Sequence, residues 1–263
     1  MIGLKAKVSK DEKIIVFSDI HHPYHDVRKV KRLIEFIKKE QPTMIVNAGD
    51  FHDCKEASRF VKDQLAAMMI ENGGKTIPDI IEEGVKLADQ IADAAPKARK
   101  IFVPGNHEVR VAKEYNRIIH LVGKHDPIRH GWSKSRHDWE VAEDFPHGHF
   151  VISKNPRIEV WHEGGGGTGQ NHAAAAWRKH YARGASVIYG DTHKPLLFLG
   201  ECDVSPMKRD SRFAIGIGTF ANLKNKKGFG YCTEAGRASW AASVAVIKLS
   251  KDGNITIDHV SFE

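Results

Sequence analysis

The stretch "KIIVFSDIHHPYHD", residues 13–26, decides the reading of the fold. Ile14–Phe17 is apolar and largely β-branched, too short for a helix, and followed by polar residues and Pro23, so it reads as a buried strand ending at Asp19. Directly downstream, Val27, Val30, Leu33, Ile34 and Ile37 recur at helical spacing, with basic residues on the other side. A buried strand feeding an amphipathic helix begins an α/β alternation.

Working outward, the pattern repeats. "TMIVNAGD" (43–50) runs from Met44 to Ala48 into Gly49 and Asp50, followed by an expected helix over Glu56–Ile70. A break at "NGGKTIPD" precedes a second expected helix, Ile77–Ala95, and "RKIFVPGNHE" (99–108) supplies a third strand ending in Gly105, Asn106 and His107. Further on, "RIEVWHE" (157–163) is strand-like, "GGGGTGQ" (164–170) is a turn, "NHAAAAWRKHYARG" (171–184) is helical, and "SVIYGDTHKP" (186–195) brings another strand into a Gly turn. The glycine run lacks the lysine of a nucleotide-binding P-loop. From Phe198 onward, "FAIGIGTF", "SVAVIKL" and "NITIDHVSF" read as antiparallel strands completing a second sheet. The segment 124–149 is polar, aromatic and His-rich without a sustained period, and is expected to be an inserted cap or long loop within a single domain spanning residues 1–263.

Composition sets bounds. At 263 residues with 41% hydrophobic content, the chain can build one sizeable core. A formal charge of +7, from 40 Lys and Arg against 33 Asp and Glu, favours phosphate-bearing partners without establishing nucleic-acid binding. Cys54, Cys202 and Cys232 form no CxxC pair, which argues against a disulfide framework or a thiolate zinc site. No apolar run approaches membrane-spanning length, and the N-terminus has no cleavable apolar core, so a cytoplasmic protein with no membrane partner is expected. The sixteen histidines carry the most information, because imidazole is the commonest metal ligand.

Five clusters stand at expected strand ends: "SDIHH" (18–22), "GDFHD" (49–53), "GNHE" (105–108), "VWHE" (160–163) and "GDTH" (190–193). Any one could be ordinary turn chemistry. Five in order, where α/β sheets place their sites, point to a binding centre. Their order and wording resemble the calcineurin-like metallophosphoesterase superfamily, and "DIHHPYHD", "SRF" after the second cluster and "GNHE" with an Arg two residues on are similar to its phage and bacterial branch.

The resemblance implies an α/β four-layer α-β-β-α sandwich of two mixed sheets with helices outside. It implies that Asp19, His21 and His193 hold a first divalent metal, that Asp50 bridges two ions, and that Asn106, His162 and the position of Asp191 hold the second. It also implies that His107 serves as leaving-group acid or transition-state stabiliser, with Asp53 orienting it. Independently, mixed carboxylate, imidazole and amide ligands suit Mn, the leading candidate, or Fe, Ni or Zn better than Ca or Mg.

Other readings stay open. His107 could simply start a helix, Asp53 could be a turn or cap residue, and Glu108 either orients a metal ligand or occupies a first helical turn that favours carboxylates. Protein phosphatases of the superfamily continue their second cluster with Asp-Arg-Gly; here Asp53 is followed by Cys54 and Lys55, which weakens that assignment. Arg59 and Arg110 are candidate phosphate-binding replacements or surface ion-pair residues. His172 is a candidate substrate contact, a helix cap or a buried histidine. Basic groups in "SPMKRD", "NLKNKKGFGY" and "WSKSRHDW" either cradle nucleic acid or form a solvated surface. Where the family places an imidazole, this chain has Asp191: a working ligand, a weak second site or an inactivating change. The expected activity is phosphodiester hydrolysis of nucleotides or nucleic acid, as in a phage-type nuclease. A phosphomonoesterase acting on a small metabolite and a catalytically weak nucleic-acid binder are the alternatives.

Overall fold

The computed structural model describes residues 10–58, 73–117, 126–165, 167, 169–205, 208–225, 233 and 237–262. β1 (Glu12–Phe17) lies in a six-stranded sheet ordered β11-β10-β1-β2-β3-β4, with β2 at Met44–Asn47, β3 at Arg99–Phe102, β4 at Trp139–Val141, β10 at Ala242–Leu249 and β11 at Ile255–Phe262. β1 pairs in parallel with β2 (Ile14↔Met44), while β10 runs antiparallel on its other side (Glu12↔Leu249). The second sheet is ordered β5-β6-β7-β9-β8: His149–Lys154, Arg157–Trp161, Ala185–Tyr189, Lys208–Gly216 and Leu196–Ser205. Each sheet mixes parallel and antiparallel pairs.

The alternation of side chains along a strand explains the layers. Ile14 and Val16 of β1 pack between the sheets with Val160, Ile188 and Ile215, whereas Ile15 and Phe17 face the opposite way, beneath helices. That cover comprises α1 (Val27–Glu40), which buries Val30, Leu33 and Ile37, and α2 (Ile77–Asp93), which buries Ile80, Ile81, Val85, Ala88 and Ile91, while α3 (Asn106–Arg117) follows β3. Asp26 caps α1 by accepting from the amides of Arg28 and Lys29, and Thr76 with Asp79 forms a capping box on α2. On the far side, α5 (His172–Tyr181) sets Ala173 and Ala176 against Val187, Tyr189 and Ala214 of the second sheet. The order is therefore helix, sheet, sheet, helix, an α-β-β-α sandwich.

Two expectations need correction. β10 and β11 join the first sheet rather than complete the second. β10 is apolar on both faces, Val244 and Val246 toward the helices and Ala245 and Ile247 between the sheets, and beside β1 both faces are covered. The His-rich segment, described from residue 126, is not one irregular loop. Asp126 caps the short helix α4 (Pro127–Trp132), and β4 extends the first sheet parallel to β3. Trp132 stacks on Phe102 at 4.1 Å and meets Trp139 edge-on, so these aromatics anchor core. Elements of six and three residues are too short to display a period. After Asp53 the described chain makes a 3-10 turn over Lys55–Ala57; most of the helix expected over 56–70 lies outside the described residues. No described helix is long and apolar enough to cross a membrane.

Candidate metal centre

The loops that leave β1, β2, β3, β6 and β7 converge at the C-terminal ends of those strands. The first two loops are locked backbone to backbone: the amide of Asp19 donates to the carbonyl of Gly49 (2.9 Å), that of His21 to Asp50 (3.0 Å) and that of His22 to Phe51 (2.8 Å). Asp19, His21, Asp50, Asp191 and His193 all adopt positive φ, between 49° and 60°. Non-glycine residues rarely sit in this left-handed region, and where they do the surrounding structure must hold them there. Gly49, at φ 99°, is required by contact as well as conformation, since a Cβ there would lie 2.4 Å from His162 Nδ1. A Cβ on Gly105 would lie 2.3 Å from Asp50 Oδ1. The glycines of the clusters thus make room for the candidate ligands.

The structure brings seven expected metal ligands together. Asp19 Oδ1 stands 3.0 Å from His193 Nε2 and 3.7 Å from His21 Nε2, and the facing Nε2 atoms of His21 and His193 are 3.0 Å apart. Asp50 reaches both halves of the site, with Oδ2 4.0 Å from His21 Nε2 and Oδ1 3.3 Å from His162 Nε2. Asp191 Oδ1 is 3.9 Å from His162 Nε2 and accepts a 3.1 Å hydrogen bond from Asn106 Nδ2. Asp19, His21 and His193, and likewise Asp19, Asp50 and His162, offer ligand atoms within 4.8 Å of one another. Asp19 Oδ1 and His162 Nε2 are buried without a hydrogen-bond partner. Buried polar atoms are ordinarily paired, so this donor set fits divalent cations between its atoms.

Electrostatics agree. Burial pushes the carboxyls of Asp19 and Asp50 up, but His193 and His21 around the first, and His107 and His162 around the second, outweigh it and hold both well below the usual carboxylate range. Burial likewise pulls the imidazoles down, yet Asp19, Asp53 and Asp50 lift His21 to about 10, and Asp50 chiefly lifts His162. Asp191 moves the other way: burial and the nearby Asp50 and Asp19 raise its carboxyl against the pull of His162. Metal binding would replace the protons such a cluster retains.

Around this set, His107 Nε2 lies 3.6 Å from Asp50 Oδ2, and the His107 amide donates to Asp50 Oδ1 (2.9 Å). Asp53 Oδ1 is 3.0 Å from His21 Nδ1 and 3.4 Å from His107 Nδ1, while its carbonyl lies 2.5 Å from that same His107 nitrogen. Asp53 therefore touches two imidazoles rather than the one expected. Arg110 approaches His107 Nδ1 and Asn106 Oδ1, each at 3.3 Å, which puts it at the rim of the centre. Arg59 lies outside the described residues. His172 is 1% exposed, and its Nδ1 pairs with the Tyr189 hydroxyl at 2.5 Å. The helix it opens packs Ala173 and Ala176 onto the second sheet.

Sequence reasoning left Glu108 undecided and passed over two further neighbours. Glu108 is 1% exposed and accepts three backbone hydrogen bonds, from Gly105 (2.8 Å), His52 (2.9 Å) and Asp50 (3.1 Å). It joins the β2 and β3 loops, with burial the main force pushing its carboxyl up to about 7. Ser18 hydrogen-bonds Asp19 Oδ2. Trp240 meets the His193 ring edge-on at 4.1 Å, a contact across 47 residues that no local signal announces.

Residues 12–195 match the model of the calcineurin-like phosphoesterases. Comparison with curated proteins gave no match. Among solved structures, Yfce, a phosphoesterase from E. coli, is 14% identical, with 95% of this chain and 100% of that one covered and a TM-score of 0.41. Vacuolar Protein Sorting 29 from Cryptosporidium parvum is 10% identical, with 97% and 100% covered and a TM-score of 0.44. A conserved uncharacterized protein and predicted phosphoesterase from Streptococcus pneumoniae is 12% identical, with 97% and 100% covered and a TM-score of 0.37.

Proposed function

The chain belongs to the calcineurin-like phosphoesterases, a family of metal-dependent phosphoester hydrolases, and from that premise we propose that it hydrolyses phosphodiesters in nucleotides or nucleic acid. The observation that carries the reading is the convergence of Asp19, His21, Asp50, His162 and His193, with buried ligand atoms left without hydrogen-bond partners. Asp19, His21 and His193 would hold one divalent ion, Asn106, His162 and Asp191 a second, with Asp50 within reach of both sets. With three carboxylates in the set, Mn is the favoured metal. When bound, such a pair supplies Lewis-acid polarisation of the phosphoryl group and a water acidified to near neutrality.

The remaining work falls to side chains. His107 Nε2, at the edge of the centre beside Asp50, gives a proton or hydrogen bond to the departing oxygen. Asp53 holds the His107 and His21 rings by their Nδ1 sides, and its carbonyl accepts from His107 Nδ1, so that Nε2 has a proton to give only when His107 is an imidazolium. Arg110 places a cation next to His107 and Asn106, where a phosphoryl oxygen would be met. No protein nucleophile is required.

A diester preference is supported by the basic balance of the chain, while the absence of the Asp-Arg-Gly continuation speaks only against a protein phosphatase. Hydrolysis of bis-nitrophenyl phosphate and mono-nitrophenyl phosphate by the Mn-loaded protein tests it. The diester should be cleaved with the higher kcat/KM; activity on the monoester alone would give the function to a phosphomonoesterase.

A further inference from the structure

Beside the metal centre, a cavity of about 540 Å³ opens between the start of α1 and the turn at Asn222–Lys224. Its lining combines three cations, Arg28, Lys29 and Lys224, with a single carboxylate, Asp26. Asp26 is already engaged by the Arg28 and Lys29 amides. The helix amides are thereby occupied, and any anion in the cavity would be met by the cationic side chains. The rest of the lining is Asn222, the apolar Val27 (70% exposed), Leu223 and Ala221, and His25, whose Nδ1 is buried without a hydrogen-bond partner.

The walls of the cavity are tied to the first loop of the centre. The two walls are bonded to each other, the amide of Asp26 to the carbonyl of Phe220 (2.7 Å) and that of Asn222 to Tyr24 (2.8 Å), and the Phe220 amide is bonded to the carbonyl of Asp19 (3.0 Å). His25 follows His21 by four positions, at most about 14 Å of extended chain. Trp240 spans the same gap on the other side, touching His193 and packing with Leu223 against Tyr24 and Ala221. A cationic recess close to a metal centre, with the partly exposed Trp240 and Leu223 between them, matches a strand of linked phosphates, with charge for the backbone and apolar side chains for bases.

We infer that this cavity binds a second phosphate of the substrate, so that the protein acts on single-stranded nucleic acid rather than on isolated one-phosphate diesters. The inference rests on the diesterase reading for its chemistry, but the test separates the two. Cleavage of bis-nitrophenyl phosphate reports the centre alone. Binding of a cleavage-resistant phosphorothioate oligothymidylate to the Mn-loaded protein, followed by fluorescence anisotropy over a range of salt, reports the cavity whether or not cleavage occurs. Arg28 and Lys224 are exposed surface side chains, so the doubly substituted Arg28→Ala, Lys224→Ala protein should fold. It should bind the oligonucleotide about tenfold or more weakly, with the salt slope of log Kd reduced by about 0.7 for each phosphate no longer neutralised. Inorganic phosphate, as competitor in diester cleavage or by calorimetry, should weaken far less. An unchanged oligonucleotide affinity and slope, or equal losses for oligonucleotide and phosphate, would overturn the inference.

Discussion

Asp191 and Glu108 show how much chemistry a single position decides. Asp191 puts a third carboxylate beside Asp19 and Asp50, and its own carboxyl is raised by burial and by those neighbours. A carboxylate in place of an imidazole makes a bound ion a weaker Lewis acid. Asp191→His should change the hydrolytic rate by about tenfold and shift the metal preference from Mn toward Zn. The same rate and occupancy with both metals would remove Asp191 from the ligand set. Glu108 gathers three amides into one carboxylate. Glu108→Ala strands those donors and should cost about 3 kcal/mol, lowering Tm by roughly 10 °C, while Glu108→Gln keeps one acceptor oxygen and loses less. An unchanged Tm for the alanine variant would contradict the account. Sequence named the clusters but not these finer contacts. Whether Asp53 faces one imidazole or two depends on how the first two loops interlock, and spacing along one chain does not encode that.

At the scale of elements, the strands were legible wherever apolar runs met glycine and a polar cluster, because a buried strand and its functional exit leave adjacent marks. β2, β3, β6 and β7 are such cases, β1 met a polar cluster without a glycine, and α1 and α2 declared themselves by their period. The destination of β10 was hidden, since membership of a sheet depends on a partner more than two hundred residues away. Glu159 in β6 was hidden too: a fully buried charge inside a strand, faced by His180, Trp161 and Arg157. Burial raises its carboxyl, but those three partners win and hold it down at about 2, against an ordinary 4.5. With the folded value depressed, its stabilisation is full above about pH 4.5 and is lost as pH falls toward 2, amounting to about 3 kcal/mol. Urea unfolding across that window should show a steeper acid loss in the wild type than in Glu159→Gln; parallel curves would mean the carboxylate contributes nothing as an ion.

For the whole molecule, the α-β-β-α arrangement follows from two sheets whose inner faces pack on each other and whose outer faces need helices. The strand exits of both sheets then meet at one edge, which is how clusters up to 175 residues apart, from "SDIHH" to "GDTH", come to share one centre. That the five clusters converge was legible from their order; the basic stretch beginning at Asn222–Lys224 was visible too, but not its place opposite Asp26–Lys29, which only the fold supplies. The most direct measurement of the central claim is the metal content of Mn-loaded, gel-filtered protein, read by mass spectrometry for the wild type and for Asp50→Asn. Two ions per wild-type chain, reduced when Asp50 loses its charge, is the result the dinuclear centre predicts; fewer than one ion per wild-type chain would contradict it.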